Sequence, residues 1–131
     1  MNTMTRILAI LLVPIALALA GCTASPSSTE PMDLSGEWTY SNGSTAFDAE
    51  VKSGIIDIYL NLEDTRGLYW TGTFEDLAVE GQKIVSSADT EALESSLYGS
   101  QSDSKIFTVA NGEITFEFTI MGVVTDVNLT R

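Results

Sequence analysis

The chain has 131 residues, a formal net charge of −12 from 18 acidic and six basic side chains, and no histidine. Such a charge repels phosphate polymers, which are held by clustered Lys and Arg that displace counterions, so nucleic acid is excluded as a partner. Without histidine the usual general base near neutral pH and the commonest transition-metal ligand are missing, and the single cysteine, Cys22, rules out a disulfide framework.

The chain opens with "MNTMTR", one positive and no negative side chain, followed by a 14-residue apolar run from Ile7 to Ala20. This is the layout of a secretory signal peptide. A bilayer-spanning helix needs about 20 apolar residues, and Pro14 interrupts this shorter run, so a permanent transmembrane helix is the weaker reading. An ordinary secretory signal would be cut after the small residues Ala18 and Ala20 and would leave Cys22 as an incidental thiol. The segment "LAGC", Leu19 to Cys22, resembles instead the lipobox of bacterial lipoproteins. That resemblance implies cleavage between Gly21 and Cys22, a diacylglyceryl group on Cys22, and residence on the extracytoplasmic face of a cell membrane. Two acyl chains on one residue meet the two-signal requirement for stable anchoring, at about 0.8 kcal/mol per buried methylene. Cleavage there removes Arg6 and no acid, leaving 18 acidic against five basic side chains, a formal charge of −13.

The chain therefore divides into a leader over 1–21, the lipidated Cys22 with a flexible tether over 22–33, and a domain over 34–131. "TASPSSTEPMD", Thr23 to Asp33, has the Ser, Thr and Pro content of a tether. The rest is long enough for one modest core.

Turn signals cut the domain into short strands. Asn42-Gly43 predicts a hairpin that sets Ser41 against Ser44 and Trp38 against Phe47. Ser53-Gly54 predicts a second, with Val51 opposite Ile56, Ala49 opposite Ile58 and Phe47 opposite Leu60. Strands are expected over Gly67–Phe74 and Lys83–Ser86. "DTEALESSLYG" predicts a short helix capped by Asp89, with Leu93 and Leu97 on one face and Gly99 ending it. Asn111-Gly112 sets Val109 opposite Ile114 and Phe107 opposite Phe116. Met121-Gly122 sets Ile120 opposite Val123, Phe116 opposite Val127 and Ile114 opposite Leu129. Every register puts the apolar residues on one face, and a slip of one residue would turn them all outward. The expected fold is all-β, an antiparallel meander of about eight strands with one short helix, closed as a barrel or flattened into a sandwich.

Gly36-x-Trp38 on the first strand and Arg131 at the end of the last resemble the calycin pattern of lipocalins and their relatives, which implies an arginine lying against the indole. Longer segments, "GIIDIYLNLEDTRGLYWTGTF" and "FTVANGEITFEFTIMGVVTDVNLTR", are similar to small secreted lipoproteins of actinobacteria and their phages that share a Leu-Tyr-Trp-x-Gly core. That likeness implies surface display on a Gram-positive host and assigns no activity.

Carboxylate pairs are predicted at Glu50 opposite Asp57 and Glu117 opposite Asp126, both on the polar face. Unburied, they are solvated charges that do no glycosidase chemistry and at most hold Ca²⁺ weakly. No enzyme, cofactor or metal site is expected. Trp38, Phe47, Trp70, Phe74, Phe107, Phe116 and Phe118 are expected in the core, and Trp38, Phe47, Trp70 and Phe116 would line a ligand pocket if one exists. Strand parity aims Tyr59 and Tyr69 outward beside Asp57 and Thr71, so Asp57, Tyr59, Tyr69 and Glu117 form the expected interaction face. The first function expected is a non-enzymatic module that contacts an envelope protein, with superinfection exclusion as its role if a prophage encodes it. The second is a carrier or sensor for a small apolar ligand.

Overall fold

The computed structural model describes residues 30–131. The leader over 1–21, the cleavage and lipidation site at Gly21 and Cys22, and the tether as far as residue 29 lie outside the described residues. The elements run β1 (Met32–Asp33), β2 (Gly36–Asn42), β3 (Thr45–Lys52), β4 (Ile55–Leu62), β5 (Thr65–Thr73), β6 (Leu77–Ala78), β7 (Lys83–Ser87), α1 (Thr90–Glu94), β8 (Ser104–Ala110), β9 (Glu113–Ile120) and β10 (Val123–Leu129). All strand pairs are antiparallel, in a sheet ordered β2-β3-β4-β5, a sheet ordered β10-β9-β8-β7, and the two-stranded pair of β1 with β6.

Two seams join the large sheets. Thr39 and Thr130 exchange backbone hydrogen bonds of 2.7 and 2.9 Å, and Gly72 bridges to Ala88. The eight long strands thus wrap one core without forming a continuous closed barrel.

The turns explain the registers. Ser53 and Gly54 both have positive φ, 53° and 79°, as do Asn111 and Gly112, at 56° and 76°. This is the pairing a two-residue hairpin of the right twist requires. The predicted opposites are found at Val51 with Ile56, Ala49 with Ile58, Phe47 with Leu60, Val109 with Ile114, Ile120 with Val123, Phe116 with Val127 and Ile114 with Leu129. Phe107 and Phe116 meet as rings with centroids 5.5 Å apart. The inward faces supply a core of buried aliphatic and aromatic side chains, and Phe47 joins the sheets by edge-on contacts to Phe116 at 5.5 Å and Phe118 at 5.0 Å. Such aromatic pairs each add about 0.5–1.5 kcal/mol beyond area burial.

Four expectations need correction. In the first hairpin Asn42 pairs with Thr45, so Gly43 and Ser44 form the turn, Trp38 faces Ala49, and Tyr40 faces Phe47. The partner is displaced by two residues, which keeps every side chain on its predicted face, so the apolar pattern could not detect the error. The helix is only Thr90–Glu94; Asp89 caps it by accepting from the Ala92 N–H, but Leu97 lies beyond it and is 87% exposed. Met32 and Asp33, predicted as the last residues of the tether, are instead paired with Ala78 and Leu77 in a short sheet. Tyr69 points inward, for a reason that belongs to the site.

The two ends of the fold differ. At one end Leu34 is fully buried, donates its N–H to the Asp76 carbonyl at 2.7 Å, and accepts from the Trp38 indole N–H at 2.9 Å. Arg131 donates to the Ser35 and Asp33 carbonyls at 2.9 and 2.6 Å, and its guanidinium carbon lies 4.3 Å from the centre of the Trp38 ring. This end, where the chain enters from residue 30, is plugged. The other end carries the turns at 43–44, 63–64 and 121–122 and the segment from α1 to Asp103, and it is open.

Candidate functional site

The open end holds a cavity of about 420 Å³, with Leu60, Tyr69, Tyr98, Lys105, Phe118 and Ile120 among its walls. Lys105 is the chemically distinctive residue. Alternation along β8 puts it on the same face as Phe107 and Val109, so its stem runs into the core while Ile106 faces out. The ammonium sits 5.0 Å from the Tyr69 ring centre, 5.4 Å from Trp70 and 5.6 Å from Phe116. A cation over aromatic faces is attracted by their quadrupoles, which offsets part of its lost hydration. Burial lowers the Lys105 pKa from the usual lysine value, and the Glu117 charge opposes that shift.

Tyr69 reaches this wall through a β-bulge. Ile58 pairs with Trp70 and Tyr59 with Leu68, so Tyr69 is the extra residue on β5. A bulge resets the alternation, and here both Tyr69 and Trp70 turn inward. Tyr69 is 7% exposed and packs on Phe47, Phe116 and Phe118, so it does not belong to an outer face. Burial pushes its phenol pKa up to about 12, with a Ser100 hydrogen bond opposing the shift. The cavity wall it supplies is therefore neutral near pH 7.

The other predicted site residues are scattered. Trp38, Phe47, Trp70 and Phe116 are fully or almost fully buried. The indole of Trp70 donates to Ser86 Oγ at 3.0 Å, and neither tryptophan lines the open-end cavity. Phe47 borders a smaller hollow of about 100 Å³ with Tyr40, Phe118 and Val127. Asp57 accepts from the Thr71 hydroxyl at 2.6 Å on the outside of the β2–β5 sheet, beside Tyr59, whose ring lies 4.1 Å from the Arg66 guanidinium carbon. Glu117 is on the outside of the other sheet, so the expected face does not form one surface. Glu50 stands opposite Asp57 and Glu117 opposite Asp126, as predicted. Among the described residues no group of three or more His, Cys, Asp or Glu is placed to hold a metal ion.

Sequence reasoning missed Lys105, although the alternation that places Phe107 and Val109 inward also places Lys105 there. An inward charge costs stability, and this gives a direct test. Lys105→Met should melt at a higher temperature than the wild type at pH 7. The unfolded chain holds its Lys105 proton more tightly than the folded one, so the wild type gains stability as pH rises from the folded pKa toward about 10.5. The difference between the two proteins should shrink over that interval, as followed by thermal melts against pH.

Fold and site together define a small antiparallel all-β protein with one aromatic core, plugged at one end and open beside a half-buried lysine at the other. No protein-family model, curated protein or solved structure matches the chain.

Proposed function

We propose that the protein is a non-enzymatic binding module, held by lipid on Cys22 at the extracytoplasmic face of a membrane, that engages an envelope protein through its open end. One observation carries this reading: the described chain begins at the plugged end, so a tether reaching back from residue 30 to a lipid on Cys22 would leave the open end on the far side from the membrane. At that free end the β9–β10 hairpin exposes Ile120, Met121, Val123 and Val124, with Met121 96% exposed. Contiguous exposed apolar residues mark interaction surfaces more often than isolated ones do. If a prophage encodes the protein, superinfection exclusion is the matching role.

Two measurements test this. Cys22→Ala should abolish labelling by a fatty-acid analogue and move the protein out of the membrane fraction or leave it unprocessed; unchanged labelling would remove the anchor from the proposal. A photo-crosslinking residue at Met121 should capture an envelope protein in the native host, and Val123→Asp should suppress that product. Crosslinking only from Tyr59 or Glu117 would move the contact to an outer sheet face.

The second role, capture of a small ligand, is favoured by the lysine-bearing cavity.

A further inference from the structure

We propose that the open-end cavity binds a single-chain amphiphile with a carboxylate head, the head held by the Lys105 ammonium and the tail lying along Leu60, Leu62 and Ile120. This goes beyond the partner-binding role and does not depend on it.

The first support is an unmet demand for an anion. An ammonium offers three donors. Lys105 makes one long hydrogen bond, 3.5 Å to the Glu117 carbonyl, and among the described residues no carboxylate oxygen lies within 4.0 Å of it. A methionine could fill the same space without the cost of desolvating a charge. Aromatic faces attract the charge without taking the place of strong acceptors, and Lys105 is one of the residues that line the cavity.

The second support is the composition of the walls. Leu60 and Phe118 are buried apolar side chains, while Tyr98, Ser100 and Ser102 add hydroxyl-bearing residues to the same lining. A volume of about 420 Å³ falls within the range of roughly 300–1,000 Å³ usual for small-ligand sites. The third support is charge. Lys105 is the only basic residue among the lining residues, Glu117 stands among them, and the whole chain is strongly acidic. One ammonium neutralises one negative charge, so a singly charged carboxylate is matched and a doubly charged phosphate head is not.

The test uses the chain from residue 22 onward, produced without its leader and carrying Cys22→Ala so that it bears no lipid of its own, with folding checked by circular dichroism. Decanoate, decanol and butyrate are titrated below micelle-forming concentrations by calorimetry. Decanoate should bind at least about tenfold more tightly than decanol, a factor worth about 1.4 kcal/mol. Lys105→Met should bring decanoate down to the level of decanol, leave decanol binding unchanged, and not lower the melting temperature. Absence of decanoate binding by the folded wild type, equal binding of decanoate and decanol, or an unchanged decanoate affinity in Lys105→Met would each overturn the proposal. Butyrate binding as tightly as decanoate would overturn the amphiphile and leave a small-anion site. None of these results touches the crosslinking at Met121, so the two proposals stand or fall separately.

Discussion

Trp38→Ala is expected to destabilise the protein by about 3 to 5 kcal/mol, the usual cost of removing a buried tryptophan. The indole is 1% exposed and closes the plugged end. Its loss leaves a cavity, strips the buried Leu34 carbonyl of its donor at 2.9 Å, and removes the ring on which Arg131 lies. Small domains have only about 5–15 kcal/mol of stability in all. At roughly 4–8 °C per kcal/mol for a domain this size, the melting temperature should fall by more than about 10 °C. Trp38→Phe keeps most of the apolar volume and should cost much less. A double-mutant cycle with Arg131→Ala isolates the cation–ring contact, for which a coupling of about 0.5–2 kcal/mol is expected. A Trp38→Ala protein melting with the wild type would show that the indole does not support the plugged end.

Gly72→Val should be nearly as damaging, for the opposite physical reason. A Cβ built on Gly72 would meet the Ser87 carbonyl oxygen, Ser86 Oγ at 2.6 Å and the Ser87 carbonyl carbon at 3.1 Å. Two of those atoms are backbone and cannot swing aside, so β5 must move off β7. Overpacking usually costs about 1–3 kcal/mol. Here the displacement also loosens the hydrogen bonds from Asp89 N–H to the Thr71 carbonyl at 2.9 Å, from Ser87 N–H to Thr73 Oγ1 at 2.9 Å, and from the Trp70 indole to Ser86. Each contributes about 1 kcal/mol. Hydrogen exchange should accelerate first at the Asp89 and Ser87 amides, which mark this seam. Gly67→Ala is the control, because its Cβ would meet the half-buried Tyr98 side chain, which can rotate toward the open end. Equal losses from the two substitutions would argue against a rigid seam at Gly72.

Gly72 belongs to the Leu-Tyr-Trp-x-Gly segment, each of whose named residues has a structural place. Leu68 accepts from the Ser96 hydroxyl, Tyr69 is the bulge residue, Trp70 fills the core and holds Ser86, and Gly72 lets the sheets approach. All of these roles are structural, and only Tyr69 also reaches the cavity wall.

What the sequence determined alone is what turn chemistry and period-two alternation encode. Ser53-Gly54, Asn111-Gly112 and Met121-Gly122 set their hairpin registers because positive φ at both central residues fixes which strand positions face each other. Alternation then decided that Val51, Ile56, Ile114 and Val127 are core. Local signals did not reach three other features. The first hairpin is offset by two residues, and alternation is blind to an even displacement. Tyr69 turned inward because a bulge against Ile58 breaks the alternation, and a bulge is a property of two strands together. The plugged and open ends arose from contacts spanning nearly all the described residues, with Arg131 on the Ser35 and Asp33 carbonyls closing one end while the segment from Tyr98 to Ser102 and the end of β9 border the mouth beside Lys105. The inward parity of Lys105 could be read from "KIFTVA". That its ammonium stands over three aromatic rings beside a cavity was decided only when β5, β8 and β9, distant in sequence, packed against one another.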